Sequence, residues 1–466
     1  MLQPRFPRRL TVIFVCLCVP GLLPALEIKT VDVRAYSNLQ AAIDANPGQI
    51  IRLQPVEYEI SAALRVKHSG TELIGPARIV QTNAAERMLA ISGASGVRVR
   101  NISFTRPAGA QDTEQHGIEV SESSDVILSG LRISENHTRS SIVAASSRDV
   151  TVENCTVTNY KGLTIDDRSK SPLYGFAFKA IDGTGIQMRD VDGIVIRDNR
   201  VQEFRLLPTQ ATRDRYSLGT LTIVPEKPGR LMQQDIFDTR YTNNWHQGAG
   251  IHVTVPNGSK RAIVTGNYVE NAAQGLDLHA DYAIVSNNIF THAMIGMKAM
   301  HGAKHVLIDG NQFTHCDLWG LKLMPGAGSF APDSPRTPGQ ATGENVDGGH
   351  IVSNNIFSYF GHGEQHWNWK DRNSDYPERN VIAILFGQLE ESPPLRNVLI
   401  AGNVVHDSGQ DTMLVDGKWA KVPPRYFHAL YVERKRQPYP QNVQVHGNLF
   451  DPGLTAATNV VASAAK

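Results

Sequence analysis

The 466-residue chain is poor in several features that mark common protein classes. Its four cysteines are too few for a disulfide-stapled scaffold of this length, and we expect Cys155 and Cys316 to be buried as small hydrophobic residues. A formal net charge of +1 without a basic stripe argues against a nucleic-acid partner. Neither repeated long apolar runs nor sustained heptads occur. These absences exclude a disulfide scaffold, a multipass membrane protein and a coiled coil, while 41% hydrophobic residues indicate a folded chain.

The N-terminus carries the pattern of an export signal. Arginines at three of the first nine positions precede an apolar run over residues 10–24, which is short and interrupted by proline. The alternative, a lone membrane anchor, needs a longer apolar run. We therefore predict a signal peptide over residues 1–26, a mature domain over 27–466, no membrane association after cleavage, and a periplasmic or secreted location.

A short motif, Gly or Asx followed by Asn, a variable residue and a bulky apolar residue, recurs along the chain. The asparagines of its copies are Asn154, Asn199, Asn267, Asn288, Asn311, Asn355, Asn403 and Asn448. Their separations are near multiples of about 22 residues once insertions are allowed, which is typical of stacked β-coils. We expect the asparagines to stack as a hydrogen-bonded ladder.

The segment that precedes the repeats predicts an end cap. Residues 37–45 show a helix cap and an amphipathic pattern, and residues 48–53 read as a strand. This helix–strand segment resembles the start of the pectate-lyase-like right-handed parallel β-helix superfamily, and the resemblance extends over most of residues 30–451. It implies an all-β, single-domain right-handed parallel β-helix (a solenoid) with an N-terminal cap helix at about 30–60, coils at about 70–451 and long loop insertions. The superfamily includes lyases, hydrolases, epimerases and non-enzymatic adhesins, so the resemblance leaves the activity open.

A second repeat, Gly followed by alternating apolar and polar residues, predicts the strand that carries chemistry. Copies begin at Gly117, Gly185, Gly250, Gly275, Gly296 and Gly320, and the last four are spaced as consecutive coils. Alternation directs one outward column to His252, Asp277, Lys298 and Lys322. A second outward column holds Arg189, placed two coils or more earlier, and then Thr254, His279, Met300 and Met324. We interpret this face as a catalytic site, with a plain solvated ladder as the alternative.

These residue types suit proton abstraction from C5 of a uronic acid. The reaction needs a base and a cation that neutralises the sugar carboxylate. His279 is the natural base, Asp277 orients the cations, and Lys298 and Lys322 neutralise charge; a lysine of depressed pKa is the alternative base. His252 and Arg189 complete the candidate catalytic set.

The segment Asp277–His279 also resembles the Asp-Pro-His segment of mannuronan C5-epimerases. It departs from that segment at Leu278, where the family has Pro, and at Gln274, where a catalytic Tyr is common. We therefore rank the activities as polysaccharide lyase, C5-epimerase and glycoside hydrolase. A glycan-binding protein without activity is the non-enzymatic alternative.

Three insertions, over residues 205–247, 325–348 and 361–378, interrupt the period and are expected to form cleft walls. They carry the candidate substrate-binding residues Trp245, His366, Trp367 and Trp369, since sugar rings stack on aromatic rings. The alternative role of the tryptophans is to anchor the loops.

No metal or other cofactor is expected. His301, His305 and His315 lack a spacing that specifies zinc. Ca²⁺ bound by Asp277 with Asp281 or Glu270 is a weaker hypothesis, suggested by related lyases and opposed by the nearby lysines. The predicted partner is an acidic polysaccharide, and the predicted state is a monomer.

Overall fold

A computed structural model describes residues 30–460, apart from several internal segments. These segments are 108–112, 114, 138–139, 161–162, 172–174, 205–247, 255–257, 294, 301, 317–318, 325–347, 360–381, 387–394, 407–411, 416–417, 422–425 and 433–438. The predicted signal peptide lies outside the described residues, as do the first and third insertions and all of the second except Gly348.

The N-terminal half consists almost wholly of short strands. In chain order the elements are β1 (Thr30–Asp32), a 3-10 helix (Val33–Ala35), α1 (Leu39–Ala45), β2 (Ile50–Arg52), β3 (Glu57–Ile60), β4 (Leu64–Val66), β5 (Glu72–Gln81), β6 (Leu89–Ser92), β7 (Arg98–Thr105), β8 (Ile118–Ser121), β9 (Ser124–Ser129), β10 (Arg132–Ser134), β11 (Ser140–Glu153), β12 (Thr156–Thr158), β13 (Leu163–Ser171), β14 (Gly175–Asp182), β15 (Thr184–Arg197) and β16 (Arg200–Gln202).

The C-terminal half repeats the same units. Its strands are β17 (Ala249–Thr254), β18 (Lys260–Thr265), β19 (Tyr268–Glu270), β20 (Gln274–Leu278), β21 (Asp281–Ser286), β22 (Ile289–Thr291), β23 (Ile295–Met300), β24 (Lys304–Asp309), β25 (Gln312–Thr314), β26 (Trp319–Met324), β27 (Gly348–Ser353), β28 (Ile356–Ser358), β29 (Ile382–Phe386), β30 (Arg396–Ala401), β31 (Val404–His406), β32 (Thr412–Val415), β33 (Lys418–Lys421), β34 (His428–Val432), β35 (Gln441–His446), β36 (Leu449–Phe450) and β37 (Ala456–Thr458).

Each strand of the solenoid pairs in parallel with the equivalent strand of the coil before and the coil after. Strand β20 pairs with β17 and β23, β21 with β18 and β24, and β22 with β19 and β25. Three strand stacks therefore run along the molecule, and the antiparallel pairs β13–β14 and β32–β33 form two separate small sheets. The predicted all-β, right-handed parallel β-helix is confirmed.

The cap is also where the sequence placed it. Helix α1 begins after Asn38, whose side-chain oxygen accepts a hydrogen bond from the Ala41 N–H at 2.9 Å. Strand β2 then pairs with β5 and leads into the first coils. No helix in the described part of the chain has the length and apolarity needed to span a bilayer.

Most of the described interior of the solenoid is apolar. Ile251, Leu276, Met297 and Leu321 are fully buried in one inward column, as the alternation predicted. Phe290, Phe313 and Phe357 stack beside them, with ring centroids 5.4 and 4.8 Å apart. Cys155 and Cys316 are buried and unbridged, as expected.

Close packing explains the recurring glycine. A Cβ at Gly275 would lie 2.3 Å from the carbonyl oxygen of Gly296 and 2.6 Å from the Phe290 ring, and Gly296 meets the same obstacle at Gly320 and Phe313. Side chains at these positions would separate the coils, so the glycines mark the start of the strand that carries the outward columns.

The asparagine ladder is present, with one correction at its first position. Each Asn Nδ2 donates to the Oδ1 of the next Asn at 2.9–3.0 Å, from Asn199 through Asn448. Cys155 precedes Asn199 in the ladder, because the Cys155 N–H donates to Asn199 Oδ1 at 2.9 Å. Asn154 instead has a φ of 53° and occupies the left-handed position before the ladder.

The longer spacings within the motif are single coils with insertions rather than pairs of coils. Asn311 donates directly to Asn355 at 3.0 Å, although 44 residues separate them. Strand β25 correspondingly pairs directly with β28. Insertions extend individual coils here without adding further coils between the paired strands.

Candidate active site

The first outward column crosses five consecutive coils. The register pairs Gln187 of β15 with His252 of β17, His252 with Asp277 of β20, Asp277 with Lys298 of β23, and Lys298 with Lys322 of β26. Strand alternation turns these side chains away from the apolar interior while stacking brings them side by side. The four residues that the sequence placed in this column are therefore neighbours.

The centre of this face is buried, which distinguishes it from a solvated ladder. Asp277, His279, Lys298 and Lys322 are 7, 9, 8 and 6% exposed. Charged side chains remain this well buried only when other charges and hydrogen bonds compensate for lost hydration. The contacts of Asp277 provide much of that compensation.

Asp277 lies at the centre of the cluster. Its Oδ1 accepts a hydrogen bond from His279 Nε2 at 2.9 Å, and its Oδ2 lies 3.6 Å from Lys298 Nζ and 4.0 Å from His252 Nε2. Burial disfavours its ionised form, but the attraction of Lys298 and the two imidazoles outweighs burial and holds the pKa of Asp277 well below its usual range. Asp277 is therefore a buried carboxylate anion.

The two lysines lie in sequence beyond Asp277. Burial lowers the pKa of Lys298; Asp277 opposes this effect and the like charge of Lys322 adds to it. The Lys322 ammonium stands over the Trp319 ring, 4.2 Å from its centroid, in a cation–π contact. The two lysines thus form a buried cationic pair. Within it, Lys298 gives up its proton more readily than an ordinary lysine.

His279 is oriented from both sides of its ring. Because the Asp277 carboxylate can only accept, His279 Nε2 carries the hydrogen of their hydrogen bond. The other ring nitrogen, Nδ1, lies 3.4 Å from the Thr254 hydroxyl. In the neutral ring the basic lone pair is on Nδ1, while Asp277 stabilises the imidazolium that forms when Nδ1 takes a proton.

His252 occupies the coil before Asp277. Burial lowers its pKa to about 4, although Asp277 acts in the opposite direction, so His252 is neutral at pH 7. Its ring meets the His279 ring edge to face, with centroids 5.6 Å apart. The Gln187 amide lies 3.3 Å from His252 Nδ1, and the buried Nε2 has no hydrogen-bond partner among the described residues.

The second outward column differs from the prediction in one respect. Arg189 pairs directly with Thr254 on the adjacent coil, so its placement two coils or more earlier was wrong; residues 205–247 are an insertion within one coil. Arg189 is exposed, and no hydrogen bond or ion pair within the described ranges joins it to Asp277. Met300 and Met324 form a separate buried apolar pair in this column.

The expected substrate-binding residues Trp245, His366, Trp367 and Trp369 lie outside the described residues. Their role in binding a glycan stays a prediction.

Sequence reasoning missed three residues of the site: Gln187, Ser140 and Trp319. Gln187 carried a usable signal, because it follows Gly185 in the same alternating repeat as His252. Ser140 and Trp319 precede the repeat positions on their strands, and their contacts with Gln187 and Lys322 follow from the folded geometry.

The described residues do not fit the calcium hypothesis. Asp281 pairs with His305 and Lys304, and Glu270 pairs with Gln202 and Tyr268. Within the described part of the chain, the group with donor atoms close enough to share a metal is His252, Asp277 and His279, within 4.8 Å of one another. This set is rich in nitrogen, whereas Ca²⁺ prefers oxygen ligands, and the nearby Lys298 ammonium further opposes a cation.

Comparison with known proteins supports the fold. The family model for a right handed beta helix region matches residues 64–205, and no curated protein is similar enough in sequence to count as a relative. The A-module of a mannuronan C-5 epimerase from Azotobacter vinelandii has a TM-score of 0.55 at 11% identity, covering 93% of this chain and 100% of the module. An alginate lyase solved in complex with G6 has a TM-score of 0.50 at 10% identity, covering 95% of this chain and 89% of the lyase.

The Dettilon tailspike protein has a TM-score of 0.47 at 12% identity; the match covers 90% of this chain and 64% of the tailspike. At identities of 11 and 10%, the epimerase module and the alginate lyase show the fold alone. Together with the parallel strand stacks, the family match over residues 64–205 shows that the chain has a right-handed parallel β-helix fold.

Proposed function

We propose that the protein is an exported polysaccharide lyase that cleaves a uronate-containing glycan by removing the C5 proton and eliminating the sugar linked at C4. The observation that carries this proposal is the buried cluster of Asp277, His279 and Lys298, which combines an oriented imidazole with an ammonium. The alginate-lyase and epimerase neighbours are compatible with this substrate class but carry the fold alone.

The charge of the cluster suits a carboxylate ligand. Counted over the described residues of the cluster, the ammoniums of Lys298 and Lys322 and the carboxylate of Asp277 leave one net positive charge. A uronate carboxylate beside the lysines would neutralise it. The same ammoniums stabilise the charge that moves onto the sugar carboxylate as the C5 proton leaves.

The elimination uses His279 as the base. Its Nδ1 takes the C5 proton, the C5–H electron pair forms the C4–C5 double bond, and the C4–O bond breaks. The departing oxygen receives the proton that His279 then releases, so one group serves as base and acid. Asp277 holds the ring and stabilises the imidazolium between the two transfers.

C5-epimerisation is the second candidate, since it shares the first proton transfer and differs in returning a proton to the opposite face of C5. The placement of Asp277 and His279 on one strand face supports it. A glycoside hydrolase needs two cooperating carboxylates, whereas the contacts of Asp277 among the described residues are with imidazoles and an ammonium.

The test is ultraviolet absorbance of the unsaturated uronate during incubation of the purified protein with alginate, pectate and other polyuronates. We expect absorbance to rise with one of them and to be lost in His279→Gln and Lys298→Met, while Gln312→Glu, at an exposed position on β25, retains it. A flat trace with NMR evidence of inverted C5 would replace the lyase with an epimerase. No change by either method would leave a glycan-binding protein and refute both reactions.

A further inference from the structure

A chain of three polar side chains leads into the site from the coils that precede Asp277. Ser140 Oγ donates to Gln187 Oε1 at 2.7 Å, and Gln187 Nε2 lies 3.3 Å from His252 Nδ1. Gln187 Oε1 can only accept, and Gln187 Nε2 can only donate. In this arrangement His252 Nδ1 is an acceptor, so the hydrogen of the neutral ring lies on Nε2.

The Asp277 carboxylate favours the same tautomer. His252 Nε2 faces Asp277 Oδ2 at 4.0 Å, a separation that is attractive for an N–H and repulsive for a nitrogen lone pair. In the opposite arrangement the Gln187 amide is reversed and the hydrogen lies on His252 Nδ1. The lone pair of His252 Nε2 would then face the Asp277 Oδ2 anion, which is unfavourable.

The resulting N–H lacks a partner within the described ranges, although Nε2 is buried. An unmade hydrogen bond at a buried donor costs stability unless something else uses the donor. Lys298 and His279 already contact Asp277, whereas the His252 N–H makes no hydrogen bond among the described residues and can donate to an incoming oxygen atom.

We propose that Ser140 and Gln187 are positioning residues that hold His252 as the neutral Nε2–H tautomer, and that this N–H donates to a carboxylate oxygen of the bound uronate. The substrate part of this inference rests on the proposed function, whereas the tautomer is a property of the protein alone. The role complements the lysines: an ammonium supplies charge, and the imidazole N–H supplies a directed hydrogen bond where charge accumulates.

The tautomer is measured first, without substrate. Long-range ¹H–¹⁵N spectra of ¹⁵N-histidine-labelled protein distinguish a protonated from an unprotonated ring nitrogen, and His252→Gln identifies the His252 signals. We expect protonated Nε2 and unprotonated Nδ1 at neutral pH. A hydrogen on Nδ1, or an Nε2 occupied by a stoichiometric divalent metal that survives dialysis, would overturn the proposal whatever the activity of the protein.

Gln187→Glu then tests the positioning role. A carboxylate at this position can only accept, so it draws the hydrogen to His252 Nδ1 and leaves a lone pair on Nε2. We expect about a 100-fold loss of kcat/KM once His252 is neutral, partly recovered at lower pH where the imidazolium again carries hydrogen on Nε2. The charged and titratable groups facing His252 are Asp277, His279 and Lys298, and all three are retained in this variant.

Matched variants separate positioning from folding. Gln312→Glu makes the same chemical change at an exposed site and should leave kcat/KM and the ¹⁵N spectrum unchanged. Ser140→Ala should mix the two tautomers and lower kcat/KM about tenfold, and His252→Leu should lose about 100-fold. Full activity of folded His252→Leu would refute the substrate contact, and an unshifted His252 spectrum in Gln187→Glu would refute the positioning role.

Discussion

Two polar stacks, the asparagine ladder and the column from Gln187 to Lys322, run along the same solenoid. Their contacts indicate a structural role for the first and a chemical role for the second. In the asparagine ladder every member from Asn199 to Asn403 both donates to and accepts from its neighbours, so the stack satisfies itself. In the column from Gln187 to Lys322 the coils contribute an amide, an imidazole, a carboxylate and two ammoniums, and the His252 N–H has no hydrogen-bond partner within the described residues. Identical amides build a scaffold, whereas unlike groups at the same stacking distance build a site that can bind a ligand.

Exchanging carboxylate for amide in one stack, and amide for carboxylate in the other, tests this comparison. The largest effect is expected at Asp277, in the reactive column. Asp277→Asn keeps the size of the side chain but removes the charge that orients His279 and offsets Lys298. We expect a loss of about 10³-fold or more in kcat with a folded protein, because the Asn side chain no longer stabilises the imidazolium. Activity on the polyuronate and far-ultraviolet circular dichroism check this, and near-normal kcat in folded Asp277→Asn would exclude Asp277 from the reaction.

The opposite exchange, Asn288→Asp, should damage stability and spare chemistry. The Asn288 side chain donates to Asn311 and Val264 and accepts from Asn267; a carboxylate cannot donate and faces acceptor oxygens. We expect about 4 kcal/mol lower free energy of unfolding, with unchanged kcat for the folded fraction. Denaturant titration measures the free energy of unfolding of Asn288→Asp, with Gln312→Glu as the control for the added charge. Equal stabilities of the two variants would contradict a structural role for the ladder.

The sequence predicted the members of the two stacks with different success. Strand alternation and the spacing of Gly250, Gly275 and Gly296 fix which side chains face outward, so the column His252–Asp277–Lys298–Lys322 followed from the sequence. The ladder was misread at Asn154, because a cysteine whose backbone N–H donates to Asn199 takes the first position. Residues 205–247 concealed that the coil containing Gln187 and Arg189 adjoins the site. Burial and the Asp277–His279 hydrogen bond depend on packing that alternation alone does not specify.

A third polar position, His350, belongs to neither stack and sharpens the contrast. It is 1% exposed in line with Val398, and neither ring nitrogen has a hydrogen-bond partner within the described part of the chain. Burial lowers its pKa from 6.5 to about 4. Between pH 6.5 and 4, His350 is therefore protonated in the unfolded state and neutral in the folded state. The free energy of unfolding falls as the pH falls through this window.

We expect His350 to account for about 3 kcal/mol of this acid destabilisation. His350→Leu should have a shallower dependence of unfolding free energy on pH between 6.5 and 4, measured by urea titration at several pH values. His446→Leu, on the last coils, serves as a partly matched control. Identical pH slopes for wild type and His350→Leu would show that His350 is protonated equally in both states.

The smallest expected effect concerns Lys322 and distinguishes the two possible bases. Lys322 lowers the pKa of Lys298 through like charge, so Lys322→Gln should raise the pKa of Lys298. If Lys298 acts as a protonated ammonium and His279 as the base, activity is lost as the pH rises through the Lys298 pKa, and the alkaline limb of the kcat/KM profile moves to higher pH. If Lys298 itself is the base, activity instead appears as Lys298 deprotonates, and the acid limb moves in the same direction. We expect the alkaline limb to move, because the hydrogen bond to Asp277 already prepares His279 for the base role; a shift of the acid limb would transfer that role to Lys298.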